Sequence, residues 1–168
     1  MRRAKGTIHI FTFKDGLLSA VAHDLRLRLE QFAVTLEGTA VHGEFDLKSI
    51  HLDGPVQNGV VRPEDYDDGK RADVEKAMHQ DVLDTAKHPT ARFKGQALSR
   101  DGGFAVSGDL ELAGRTAPLA FDVRGENGNY RAEIEIAPSR WGIAQYKALL
   151  GAIRLKDQVR IEITLTDA

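Results

Sequence analysis

Period-two alternation of apolar and polar residues is the feature that most restricts what this chain can fold into. Leu25, Leu27 and Leu29 alternate with Arg26, Arg28 and Glu30. Phe104, Val106, Leu110 and Leu112 share one phase, with Gly108 between them. Leu119, Phe121 and Val123 repeat the pattern, as do Tyr130, Ala132, Ile134 and Ile136. Near the end of the chain Val159, Ile161, Ile163 and Leu165 alternate with Arg160, Glu162, Thr164 and Thr166. A strand points successive side chains to opposite faces, so each segment has one apolar and one wet face. Helix-period patterns are scarce by comparison.

Between Leu29 and Phe32 the apolar phase slips by one residue, to Phe32, Val34 and Leu36. No turn residue stands there, which predicts a β-bulge bending one long strand rather than a hairpin. Turn chemistry marks other joints: Asp101-Gly102-Gly103, Gly125-Glu126-Asn127-Gly128-Asn129, and Gly114 ahead of Pro118. The late strands are therefore expected to form a meander of short hairpins. Two segments depart from alternation. Leu17, Leu18, Val21 and Leu25 fit a short helical face after Gly16. A second helix is predicted from an N-cap at Asp73 to about Leu83, with Val74, Ala77, Met78 and Val82 as its apolar face. Gly54 to Arg71 before it, with Pro55, Gly59, Pro63 and Gly69, reads as a long polar connection.

About eight one-sided strands cannot leave their apolar faces wet, so the sheet must pair with another or close on itself. Eight strands close around an interior just wide enough for packed side chains or one small apolar ligand. The expected fold is an all-β antiparallel barrel with one or two short helices, one domain over residues 1–168. Length and composition agree. The chain has 168 residues, 42% hydrophobic and 29% charged, enough for one core without a disulfide or structural metal. It has no cysteine, which removes disulfides and thiolate metal sites. With 23 basic and 25 acidic residues well mixed, it carries no basic block of the kind that grips nucleic acid. No stretch approaches the roughly 20 apolar residues of a membrane helix. Met1-Arg2-Arg3-Ala4-Lys5 is followed by His9, Lys14 and Asp15 rather than the apolar run of an export signal, so a cytoplasmic location is expected.

The residues that could carry chemistry mostly have plain structural readings. His9, His23, His42, His51, His79 and His88 are scattered without a metal-ligand spacing, so no metal is expected. His23 and Asp24 are adjacent, but neighbours on a strand point to opposite faces and would not meet. The serines lack a nucleophile-elbow motif. No catalytic group and no redox or organic cofactor is implied. His23 is read as holding a joint by hydrogen bonds or as touching a ligand's polar head. Aromatic residues in or beside strands carry the binding reading: Phe32, Phe45, Phe93, Phe104, Phe121, Tyr130 and Trp141, together with Ile134. Either they fill the barrel or they line a ligand space. Gln145 to Gly151 is a partly apolar insertion, read as a lid on the barrel mouth or as the contact of a homodimer.

Three stretches carry a family resemblance. Gln80-Asp81-Val82-Leu83-Asp84-Thr85-Ala86-Lys87-His88-Pro89-Thr90-Ala91-Arg92-Phe93-Lys94 combines a Leu-Asp, then a Pro, then Arg-Phe. Val106-Ser107-Gly108-Asp109-Leu110-Glu111-Leu112-Ala113-Gly114-Arg115-Thr116-Ala117-Pro118-Leu119 carries a Gly-Asp-Leu and a later Gly-x-Thr-x-Pro. Ser139-Arg140-Trp141-Gly142-Ile143 precedes Lys156-Asp157-Gln158-Val159-Arg160-Ile161. Together they resemble the YceI-like family, the lipocalin-like polyisoprenoid-binding proteins, from Phe32 onward. Ala22-His23-Asp24 departs from that pattern, as does the first strand. The resemblance implies a lipocalin-like barrel that binds or carries an apolar small molecule, an isoprenoid or other lipid-like chain, inside. Two alternatives stay open: a filled-barrel interaction protein, and an enzyme using His23.

Overall fold

The protein was examined as a computed structural model, which describes residues 2–15, 23–148, 151 and 153–167. The Leu17, Leu18 and Val21 part of the first predicted helix lies outside those residues, and Leu25 stands in a strand instead. Among the described residues twelve strands form one antiparallel system: β1 (Arg2–Lys14), β2 (Asp24–Leu29), β3 (Phe32–Glu37), β4 (Ala40–Asp46), β5 (Ile50–Gln57), β6 (Val60–Val61), β7 (Thr90–Arg100), β8 (Gly103–Leu112), β9 (Arg115–Glu126), β10 (Asn129–Ile136), β11 (Lys147–Ala148) and β12 (Ile153–Asp167). The order β12-β10-β9-β8-β7-β4-β3-β1 returns to β12 through ten paired positions, from Ala4–Asp167 to Lys14–Leu155. Eight strands thus curl into a ring, and β2 and β5 continue its wall along the edge of β1 that β3 leaves, with β6 at the margin.

The phase slip at Glu30-Gln31 is a bulge. Ile8 pairs with Leu29 and Arg3 with Thr35, so five steps along β1 match six along β2 and β3. The 3-10 turn Leu47–Ser49 satisfies the loosened backbone: Ser49 Oγ accepts the Gln31 N–H at 2.8 Å and donates to the Asp46 carbonyl at 2.7 Å. At this corner the long strand passes from partner β5 to partner β4. A second bulge leaves Asp53 without an opposite residue, because Arg26 pairs with Gly54 and Leu27 with Leu52. Bulges re-aim side chains. Here Asp53 reaches the outer face, accepting from Arg26 Nε at 2.7 Å and Arg28 Nη1 at 2.8 Å. The hydrogen bond to Asp53 raises the Arg28 guanidinium above its usual range.

The helix begins earlier than its apolar period suggests. α1 runs Asp68–Ala77 and continues as one π turn over Met78–Val82. Asp67, not Asp73, is the cap, its carboxylate accepting the Lys70 N–H at 2.7 Å. The first turn is exposed and leaves no hydrophobic period to read, whereas Val74, Met78, Val82 and Leu83 pack on the core. The presumed loop from Gly54 to Arg71 is instead the end of β5, the short β6, a 3-10 turn at Pro63–Asp65 and the start of α1. Three helix side chains tie it to β5. Glu75 accepts the Leu52 N–H at 2.8 Å, Arg71 donates to the carbonyls of Leu52 and Asp53, and His79 Nε2 donates to the Ile50 carbonyl at 3.0 Å.

One seam of the barrel is weakly bridged. β9 and β10 pair only at Glu126–Asn129, Gly125–Tyr130 and Arg124–Arg131, while β8 and β9 share ten positions. Like charges stand opposite at Arg124–Arg131, an arrangement that weakens a ladder. Beyond this point the turn at Pro138–Trp141 spans the gap. Arg140 donates to the Pro118 carbonyl at 2.6 Å, and the Trp141 indole N–H donates to the Leu110 carbonyl at 2.8 Å.

Candidate functional site

Inward phases of the strands enclose a cavity of about 350 Å3 that runs the length of the barrel. β1 supplies Ile8 and Ile10, β2 supplies Leu27 and Leu29, and β12 supplies Val159, Ile161 and Ile163. On the opposite wall β7 to β10 supply Phe93, Val106, Leu110, Phe121 and Ile134. At one end the π turn contributes Met78 and Val82, followed by Leu83. At the other end lie the β3–β4, β7–β8 and β9–β10 turns, and the exposed residues Arg131 and Asp167 reach the lining there. The cavity therefore meets water at its turn end and stops at its helix end.

Two glycine positions shape the wall. Gly95 and Gly108 pair across β7 and β8 with their backbones in close approach. Glycines at such places let a sheet bend sharply. The space a side chain would occupy above Gly95 is taken by the Phe93 ring, whose Cζ would lie 2.9 Å from a Cβ there. Phe45 covers Gly43 in the same way, with ring atoms 2.7 and 2.8 Å from a Cβ. Phe93 in turn meets Phe121 with ring centroids 5.9 Å apart, and Phe104 meets Tyr130 at the same distance near the turn end. Tilted ring pairs of this kind add to the plain burial of their area.

The nine residues singled out in the sequence are divided by this geometry. Phe45, Phe93, Phe104, Phe121, Tyr130 and Ile134 face the cavity. Phe32 pairs with Phe45 across β3 and β4 and packs on the core from outside that lining. Trp141 is 1% exposed and anchored through its indole N–H, in the seam rather than on the cavity. His23 stands edge-on to Tyr66 with ring centroids 6.1 Å apart, outside the cavity lining. Its neighbour Asp24 accepts the Lys14 N–H at 2.8 Å. The Gln145-to-Gly151 insertion, in its described part, pairs Lys147–Ala148 with the start of β12, and Gln145 donates to Asp15 at 3.1 Å. That places it at the helix end, so it is no lid over the turn end; Leu149 and Leu150 lie outside the described residues.

The sequence reading missed most of the aliphatic wall, because it weighted rings over branched chains. The signal was present: Leu27, Leu29, Ile161 and Ile163 belong to the same alternating runs. The lining is almost wholly carbon. Thr12 Oγ1 is an exception, buried on the wall with no hydrogen-bond partner among the described residues. Among those residues no three His, Asp or Glu side chains gather as a metal site. The arrangement can therefore desolvate a hydrocarbon.

Comparison with known proteins decides the family. A model of the YceI-like domain matches residues 7–166. The chain belongs to the YceI-like family. Solved structures share the YceI-like fold at low identity. Burkholderia cenocepacia BcnA superposes with a TM-score of 0.66 at 15% identity, over 95% of this chain and 94% of that one. A polyisoprenoid binding domain from Saccharophagus degradans, implicated in plant cell wall breakdown, gives 0.61 at 12% identity, covering 99% and 97%. The Campylobacter jejuni YCEI protein gives 0.60 at 10% identity, covering 84% of each. No curated protein matches this YceI-like chain in sequence. No helix among its described residues is long and apolar enough to cross a membrane.

Proposed function

We propose that this YceI-like domain binds or carries an apolar small molecule, an isoprenoid or other lipid-like chain, in the barrel interior. The observation that carries the reading is the continuous carbon-lined cavity of about 350 Å3, open to water at the turn end. Each buried methylene contributes about 0.8 kcal/mol, so a hydrocarbon needs no hydrogen bond to be held. Phe45, Phe93, Phe104, Phe121, Tyr130 and Ile134 form the contact surface. Phe32 and Trp141 pack on the core beyond the lining. The Saccharophagus degradans neighbour is itself described as polyisoprenoid binding, which agrees with a binding role. Extraction of the purified protein with organic solvent, followed by mass spectrometry, tests the reading. A co-purified lipid is expected. An empty extract, together with failure to take up any added hydrocarbon probe, would overturn it.

A further inference from the structure

We propose that Met78 and Val82 are the floor of the cavity and limit the length of apolar chain that it accepts. The proposal rests on the reading that the barrel binds an apolar chain. The lining ends at Met78 and Val82 on the helix side, so a chain threaded from the turn end runs up against them. Carbons beyond the limit have to leave through the turn end, where Arg131 and Asp167 bring the lining into water.

A floor sets length only if it cannot retreat, and this one is held at several points. The π turn carries Met78 and Val82 together, and the Leu83 N–H closes it on the Met78 carbonyl at 3.0 Å. Between them His79 is fixed from both ring nitrogens: Nε2 donates to the Ile50 carbonyl and Nδ1 lies 3.0 Å from Thr85 Oγ1. Thr85 is buried and donates its N–H to the His79 carbonyl at 2.9 Å. Glu75 and Arg71 pin the preceding turns of α1 to β5. Pushing Met78 outward would break several of these bonds together. π turns interrupt helices mostly at functional places, which agrees with a floor built from one.

The test is a length series of n-alkanols from eight to twenty carbons, displacing the fluorescent dye anilinonaphthalene sulfonate from the full chain. Affinity should strengthen about fourfold per carbon up to a break within the series and then level off. Met78→Ala should move the break two to three carbons longer, and Met78→Leu, similar in volume, should leave it in place. Circular dichroism checks that each variant folds; if Met78→Ala does not, Val82→Ala replaces it, with a shift of one to two carbons. An unbroken rise to twenty carbons would overturn the limit and leave binding intact. A break that no floor variant moves would overturn the role of Met78 and Val82. Displacement by no alkanol would overturn the binding reading, and the limit with it.

Discussion

Gly108 faces Gly95 so closely that a Cβ built on Gly108 would stand 2.5 Å from the Gly95 Cα and 2.2 Å from the Lys94 carbonyl oxygen. Both obstacles are backbone, which cannot swing aside as a long side chain can. The two strands approach this closely because neither residue carries a side chain. Gly108→Val should therefore destabilise the fold by about 3 kcal/mol, the upper end for an overpacked site. Urea unfolding followed by emission of the single Trp141 measures it. An unchanged midpoint would mean that the two strands can separate without loss.

Phe121 and Ile134 lie on β9 and β10, and both face the cavity. Phe121→Ala should weaken a lipid probe roughly five- to tenfold, the value of about 50 Å2 of lost apolar contact. Ile134→Ala should weaken it less, and both should fold. Apolar contact is not screened, so the wild-type affinity should hold steady as salt rises, unlike that of an exposed ion pair. Probe titrations at low and high salt check both points. A strong salt dependence would point instead to a charged ligand at the turn end.

Asp53 joins Arg26 and Arg28 on the outer face while itself only 11% exposed. Asp53→Ala removes the acceptor of two charged donors and should cost about 1–2 kcal/mol, reduced from the full value because the arginines are partly wet. Asp53→Asn keeps one acceptor and should cost less. Thermal melts of the two variants give the ranking. The probe affinity should not change in either, since the site lies on the other side of the sheet.

Trp141 gives its indole N–H to the Leu110 carbonyl across the weakly bridged seam. Trp141→Phe keeps an aromatic ring but leaves that buried carbonyl without the donor, a loss of about 1–3 kcal/mol. Circular dichroism melts are the readout, since the variant has no tryptophan left. A variant as stable as wild type would show that the seam does not depend on this bond.

Burial raises the Tyr66 hydroxyl above the ordinary tyrosine value of 10.0. A raised folded value means that the neutral form is favoured by folding. Stability from this group is thus complete below pH 10 and falls as pH rises through the folded value. The wild-type melting temperature should therefore decline in that alkaline window more than that of Tyr66→Phe. Parallel melts from neutral pH to pH 11 decide the matter; superimposable curves would show that the tyrosine ionises equally well folded and unfolded.

Much of the fold was legible because strands write their faces into the sequence. The alternation of Leu25 to Glu30 and of Val159 to Thr166 marks inward and outward residues directly, and the slip before Phe32 marks the bulge. Asn127-Gly128 carries the positive φ angles of +56° and +81° that its hairpin turn requires. These features are local, set by the side-chain period of two and by the sterics of single residues.

What only the tertiary structure decided depends on distant parts meeting. β1 closes the ring against β12, its partner at the far end of the chain, and no local pattern announces that pairing. The start of α1 at Asp68 was hidden because its first turn touches water and owes its cap to Asp67. Trp141 and Phe32 look like cavity residues by composition, yet Trp141 is held in the seam, and Phe32, on the same face as Phe45, packs on the core beyond the lining. The cavity itself is the small remainder between the space a curled sheet encloses and the volume of the side chains pointing in. That remainder depends on how tightly the strands bend at Gly95 and Gly108 and on where His79 holds the helix. Side-chain identities along the chain specify which residues point inward, but only their packing determines whether a space is left among them.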